Sequence, residues 1–213
     1  MRRINTLDTL IDNVDNALRT LFPPKKRIGT RPSPAKDFPE PSLSFQEKKN
    51  ISGLMRVNHA GEVCAQALYQ GQALTAQLTH IRKQMSDAAA EEIDHLAWCE
   101  ERLAELGSQT SLLNPLWYGG SLILGAFAGL AGDRVSLGFV METERQVSAH
   151  LYRHLQKLPA KDKKSHSVLA KMKEDEEQHA TLARESGAIE LPYVVKLLMH
   201  IVSKLMTKSS YYI

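Results

Sequence analysis

The chain reads as an all-α protein built on a four-helix bundle, on three observations. Glu92-Ile93-Asp94-His95 recurs as Glu176-Glu177-Gln178-His179. Each copy follows a lone glutamate, Glu62 by 30 residues and Glu144 by 32. Around all four positions apolar residues return every three or four places, the period of a helix. Residues three apart on a helix lie on one face, about a turn apart, so each copy aims a carboxylate and an imidazole at one point. The chain is therefore two helical hairpins, each bringing one lone Glu and one Glu-x-x-His.

The elements follow in order. Ile4, Leu7, Ile11, Val14, Leu18 and Leu21 predict a short amphipathic helix over 4–21, which needs a surface to lie on. Residues 23–41 hold six of the nine prolines together with Lys25, Lys26, Arg27 and Arg31, a composition suited to an extended tether rather than packed structure. Residues 1–44 are thus read as an attachment segment and 45–213 as the bundle domain. Ser44 and Glu47 have the spacing of a capping box, opening a helix that runs through Glu62 to about Leu78. The second helix spans about Arg82 to Leu106, with Gly107 as its stop.

No charged side chain falls between Gly107 and Gly132, but Asn114, Pro115, Ser121 and five glycines from 119 to 132 interrupt the apolar run. That favours a short crossover helix between the hairpins over a membrane span, and the Gly125/Gly129 pair is read as close helix packing. Asp133 is assigned as cap of the third bundle helix, which ends near Leu158 ahead of Pro159; the fourth spans about Lys161 to Ser186 ahead of Gly187. After Pro192, Lys196, His200, Lys204 and Lys208 oppose Val194, Val195, Leu198, Ile201, Val202, Leu205 and Met206. This basic amphipathic helix suits a membrane interface with its lysines toward the headgroups, or packs across the bundle.

With 213 residues, 43% of them hydrophobic, the chain can bury one sizeable core. Its 27 basic and 24 acidic side chains leave a net charge of +3, too balanced for a nucleic-acid binder, although basic residues gather near both ends where anionic lipid would meet them. Cys64 and Cys99 sit in predicted helices without metal-knuckle spacing and imply no disulfide framework. Asp8, Asp12 and Asp15 interrupt the N-terminal apolar residues, which argues against a signal peptide.

Position selects six residues. Glu92 interrupts the stripe Met85, Ala88, Ala89, Leu96, Cys99 and Leu103, and Glu144 the stripe Leu137, Val140, Met141, Val147 and Leu151. Glu176 and His179 share a face with Leu169, Met172, Ala180 and Ala183, with Glu174, Asp175 and Glu177 placed nearer solvent. Glu62 lies on a weaker stripe of Leu54, Met55, Ala65 and Tyr69. A lone buried carboxylate costs several kcal/mol unless compensated, and four converging ones with two neutral imidazoles carry −4, which two divalent cations cancel. Glu62, Glu92, His95, Glu144, Glu176 and His179 are accordingly the metal-ligand and catalytic candidates. Oxygen-rich ligation with one imidazole per ion favours iron or manganese over zinc. His59 is a hydrogen-bonding neighbour or a donor to a ligand; Tyr69 is a core tyrosine or faces the metals; His150 borders a substrate channel or is partly exposed. No nucleotide-binding fingerprint opens a βαβ unit, so no organic cofactor site is assigned.

Met55-Arg-Val-Asn-His-Ala-Gly-Glu62, Ala90-Glu-Glu-Ile-Asp-His95, Glu144 and Glu174-Asp-Glu-Glu-Gln-His179, in this order and spacing, resemble the bacterial branch of demethoxyubiquinone hydroxylase, the di-iron monooxygenase of ubiquinone biosynthesis. The likeness covers about 45–207. It implies a ferritin-like bundle and two Fe ions in a carboxylate-bridged centre held by the same six residues. It further implies O2 as co-substrate, a polyprenyl benzoquinol as substrate, and peripheral work at the lipid surface, on the cytoplasmic face of the inner membrane. Electrons would come from the quinol or from an external donor that docks, and a homo-oligomer is left open. One departure is that the His-Tyr pair some relatives carry after the third-helix ligand reads His150-Leu151-Tyr152 here, so no tyrosine relay carries over. The rival readings are another ferritin-like di-iron oxidase or iron-handling protein, and a non-enzymatic quinone or lipid carrier.

Overall fold

A computed structural model describes residues 6–23 and 27–213. Among them it has seven helices: α1 (Thr6–Leu21), α2 (Phe45–Thr75), α3 (Thr79–Glu105), α4 (Asn114–Leu130), α5 (Asp133–Leu155), α6 (Lys163–Glu185) and α7 (Tyr193–Ser210). Hairpins α2–α3 and α5–α6 make the bundle; α4 crosses between them along α2, and α7 lies against α2 and α5. Ile4, Lys25 and Lys26 of the predicted N-terminal helix and tether fall outside the described residues.

The bundle buries two apolar clusters with a polar layer between them. One holds Met55, Cys99, Leu103, Leu151, Leu169 and Met172. The other holds Tyr69, Met85, Leu137, Met141 and Ala183. On every bundle helix the candidate ligands fall between members of the two clusters: Glu62 between Met55 and Tyr69, Glu92 and His95 between Met85 and Cys99, Glu144 between Met141 and Leu151, Glu176 and His179 between Met172 and Ala183. Helical periodicity therefore puts all four helices' polar interruptions at one level, and the clusters keep water from that level on both sides.

The helix ends follow local chemistry. Ser44 and Glu47 form the reciprocal capping box, with Ser44 N–H donating to Glu47 Oε2 at 2.7 Å and Glu47 N–H to Ser44 Oγ at 3.3 Å. Gly107 and Gly187 end α3 and α6 at φ of 70° and 101°, conformations that favour glycine. Asp133 is not the cap of α5, contrary to the sequence expectation. Gly132 holds that position, and the Asp133 carboxylate accepts from the backbone N–H of Gln77 at 3.0 Å and Leu78 at 2.8 Å. The reason is at the other end of the contact: Leu78 precedes α3 with no side-chain cap of its own, so the start of α3 borrows a carboxylate from α5.

The tether expectation also needs correction. Ala35 is part of the core, Arg27 forms an ion pair with Glu100 at 3.0 Å, and the buried Arg102 reaches Glu40 at 2.8 Å. Buried or half-buried charges of either sign on α3 need partners, and this proline-rich strap supplies them.

The crossover packs as its glycines predict. A Cβ on Gly71 would strike the backbone of Leu122, and one on Gly125 the carbonyl of Leu68, so α2 and α4 meet backbone to backbone. No helix among the described residues is long and apolar enough to cross a membrane. Three helices nevertheless leave apolar side chains exposed: Ile11, Val14 and Leu18 on α1; Leu116, Ile123 and Phe127 on α4; Val194, Leu198, Ile201 and Leu205 on α7. On α7 it is the apolar side that faces outward, while Lys196 turns inward to Glu142 at 3.6 Å and Glu190 at 2.6 Å.

Gly125→Leu would push a side chain into the Leu68 carbonyl and force α4 off α2. A loss of about 2–3 kcal/mol is expected from such overpacking, measurable as a lower urea midpoint with an unchanged m value.

Candidate metal centre

The polar layer gathers all six sequence candidates. Glu62, Glu92, His95 and Glu176 form one buried group, and Glu92, Glu144, Glu176 and His179 a second; within each group one ligand atom per residue lies within 4.8 Å of every other. Glu92 and Glu176 belong to both. Both imidazoles turn Nδ1 to the centre. His95 Nδ1 lies 2.9 Å from Glu92, 3.2 Å from Glu176 and 3.6 Å from Glu62. His179 Nδ1 lies 3.3 Å from Glu176 and 3.4 Å from Glu92.

The outward nitrogens are braced crosswise. His95 on α3 meets Asp175 on α6 at 2.9 Å through Nε2, and His179 on α6 meets Glu91 on α3 at 2.8 Å. In each case the partner is the acid immediately before the Glu of the opposite Glu-x-x-His. Such a carboxylate fixes the tautomer and ring orientation of a ligating histidine. Asp175 was expected nearer solvent and is buried instead, because the imidazole of His95 reaches it across the bundle. The sequence signal for both braces was the doubled acid, Glu91-Glu92 and Asp175-Glu176.

The electrostatics of the layer follow from four acids buried at close range. Burial, then repulsion from Glu92, holds Glu62 well above the usual carboxylate range. Burial, then Glu176 and Glu92, does the same to Glu144. Burial opposes charge on His179, yet hydrogen bonds to Glu176 and Glu92 outweigh it and push the imidazole up to about 12; His95 is raised likewise, burial again opposing and Glu92 dominating the gain. Glu62, Glu144 and both imidazoles are shifted upward, the mark of a buried layer short of positive charge, which two divalent cations would bring. Glu92 Oε1 and Glu176 Oε1, one from each shared residue, are buried without a hydrogen bond. Donor set, charge and these two free oxygens fit a pair of oxygen-seeking divalent ions.

Other candidates separate from the layer. Tyr69 is both a core residue and a neighbour of the site, its hydroxyl donating to Glu144 Oε1. His59 bonds Glu100 at 3.1 Å and Asn114 at 3.3 Å and touches no member of the six. His150 stands outside the site, between α5 and α7.

The two sides of the layer differ. At His95 the strap closes over the site: Thr30 and Arg31 bond Asp94, and Arg31 spans Asp94 at 2.6 Å and Asp175 at 2.8 Å while its guanidinium lies 4.9 Å above the Trp98 ring. Gly29 approaches Asp94 so closely that a Cβ would collide with its carboxylate. At His179 the brace Glu91 is 56% exposed. Beside it a groove of about 570 Å³ between α5 and α6 reaches Glu144 and is rimmed by Arg145, Lys173 and Arg184. Sequence reasoning missed Arg31, whose partners are 63 and 144 residues away.

Arg31→Met would leave Asp94 and Asp175 buried beside a thioether. With 34% of the Arg31 side chain exposed, the cost is expected below the 3–5 kcal/mol of a fully buried broken pair, about 2 kcal/mol, with faster protease cleavage within residues 22–31 as the local readout.

Comparison with known proteins places this geometry. Residues 49–210 match the family model described as "Ubiquinone biosynthesis protein COQ7". The chain is 71% identical over its full 213 residues, and the relative's full length, to a 3-demethoxyubiquinol 3-hydroxylase of Legionella pneumophila (strain Paris). It is 56% identical, again over the full length of both, to the protein of the same name in Acinetobacter baumannii. Among solved structures it resembles a dodecameric thioferritin, the bacterioferritin-related protein of Bacteroides fragilis, at a TM-score of 0.55 and 16% identity, covering 73% of this chain and 90% of that one; at that identity the likeness concerns the ferritin-like fold alone. A ferritin-like bundle carrying the paired Glu-x-x-His layer, and matching that family over most of its length, belongs to the COQ7 family of ubiquinone biosynthesis proteins.

Proposed function

We infer that this chain is an O2-dependent hydroxylase of ubiquinone biosynthesis, acting on a demethoxyubiquinol, and that it works through two iron ions held by Glu62, Glu92, His95, Glu144, Glu176 and His179. The observation that carries the metal assignment is the sharing of Glu92 and Glu176 between two buried groups, each able to grip one ion. Glu62 and His95 complete one group and Glu144 and His179 the other, so the six residues together would hold two ions.

Bound there, the irons supply what no side chain offers, two-electron activation of O2. The overall chemistry adds one oxygen atom to an unsubstituted ring carbon and releases the other as water, consuming two electrons and two protons. Those electrons come from the quinol or from a donor outside the chain. The residues' own work is positioning and exclusion. Glu91 and Asp175 hold the imidazoles in register, Tyr69 holds Glu144, and the two apolar clusters keep bulk water from the layer. Arg31 keeps the His95 side rigid, so access by small reactants is assigned to the Glu144 and His179 side.

The polyprenyl tail sets the workplace. The exposed apolar faces of α1, α4 and α7 would rest on lipid, with the chain peripheral to the cytoplasmic face of the inner membrane and the tail never crossing water. We propose the division into an attachment segment, 1–44, and a catalytic bundle, 45–213, on the same ground, with residues 27–44 of the strap packed on the bundle. The relatives compared are named as hydroxylases, which does not favour the storage or carrier readings.

Anaerobic reconstitution is expected to give about two irons per chain. Glu144→Ala should retain about one, and Glu176→Ala, which removes a member of both groups, close to none, with helicity by circular dichroism unchanged. An 18O2 pulse with reduced demethoxyquinone should put one labelled atom in the ring product by mass spectrometry; label only in water with unaltered quinone would move the function to another di-iron oxidase.

A further inference from the structure

The basic side of α7 faces the bundle across a cavity, and that cavity has no use in the chemistry above. It is an open cleft of about 580 Å³ between α5 and α7, with Leu54 and Val57 of α2 behind it. Arg153 and Lys157 stand one turn apart on the α5 side, and Lys204 and Lys208 one turn apart on α7, so two like-charged pairs look at each other over the opening. His200 completes the wall, and no carboxylate lines the cavity among the described residues. Several other lysines of the chain are paired: Lys161 with Glu47, Lys164 with Glu105, Lys196 with Glu190.

The floor is made of two imidazoles. His150 and His154 lie with ring centroids 3.9 Å apart. His154 is fixed by a 2.9 Å hydrogen bond to Asn58, whereas Nε2 of His150 is buried with no partner at all. Burial, reinforced by Arg153 and Lys157, pushes His150 down to about 4, so the floor is neutral imidazole under a rim of four uncompensated cations. A concave surface of that kind holds an anion.

We propose that the α5–α7 cavity is a binding site for the phosphate of an anionic phospholipid headgroup. A lipid rather than a free phosphate fits because α7 presents Val194, Leu198, Ile201 and Leu205 outward on its opposite side. A helix lying on its apolar face sinks only to the headgroup boundary, which brings its polar side, and this cavity, level with the phosphates. The inference rests on the membrane-surface reading above and adds selectivity for lipid charge at one defined place. Anionic lipid would then seat α7 against α5 and set the bundle's orientation on the membrane.

The test uses the full-length, iron-loaded protein. Co-sedimentation with phosphatidylcholine vesicles, with and without phosphatidylglycerol, is compared for three forms: the parent, Arg153→Gln/Lys204→Gln in the cavity, and Lys83→Gln/Lys163→Gln, which removes equal charge from exposed positions outside it. Iron content and helicity confirm that each is folded. The expected result is a tenfold or greater loss of phosphatidylglycerol preference in the cavity variant and less than twofold in the other. Protection of His200 from diethyl pyrocarbonate by short-chain phosphatidylglycerol, but not by short-chain phosphatidylcholine, should accompany it. Equal losses in both variants without His200 protection would reduce the effect to general surface charge and overturn the site. Equal protection by inorganic phosphate at the same concentration would reassign the cavity to a soluble anion and overturn the lipid. Binding to neutral vesicles with no anionic preference would sink the cavity proposal alone, whereas no binding to any vesicle would sink the membrane reading with it.

Discussion

Four carboxylates and two imidazoles at one level of a dry helical bundle are the constraint from which the rest of the structure follows. Each buried carboxylate costs several kcal/mol unless compensated, so the layer is tolerable only when something supplies positive charge. Within the layer the two imidazoles stand close to the shared carboxylate oxygens, His95 Nδ1 at 3.2 Å from Glu176 and His179 Nδ1 at 3.4 Å from Glu92. The two apolar clusters above and below sharpen the demand, since they withhold the water that would otherwise screen it. Stability and chemistry are thus opposed at the centre of the molecule: the layer weakens the bundle, and the ions proposed for it would offset the loss.

The braces show how the site gains precision without rigid loops. Each outward imidazole nitrogen is held by an acid from the other hairpin, so the hairpins cannot slide past one another without misorienting both imidazoles. The near twofold pattern then breaks at the surface. One brace is locked under Arg31 and Trp98, the other stands in solvent. The layer thus has a closed side at His95 and an open side at His179, where a groove reaches Glu144.

The same economy governs the periphery. Three helices expose apolar faces, too short or too mixed to enter a bilayer as spans. On α7 the inward turn of the basic stripe gives Lys196 near its start structural partners in Glu142 and Glu190 and leaves Lys204 and Lys208 near its end lining a cavity without acids. Charge and apolar surface on one helix therefore serve two different neighbours.

Sequence alone determined the bundle, the hairpin order, the capping box at Ser44, the glycine stops and the six residues of the polar layer. All of these rest on local periodicity, which an α-helix converts directly into facing. Tertiary structure decided what periodicity cannot carry. Asp133 serves α3 rather than its own helix because the needy N–H groups are brought to it from 55 and 56 residues away. Asp175 is buried because His95 reaches it from another helix. Arg31 matters because a strap that composition marked as unpacked crosses two acids distant in sequence. Which side of α7 faces the bundle was open as well, since an amphipathic pattern defines two faces but not the neighbour of either; that choice belongs to the carboxylates the folded bundle presents.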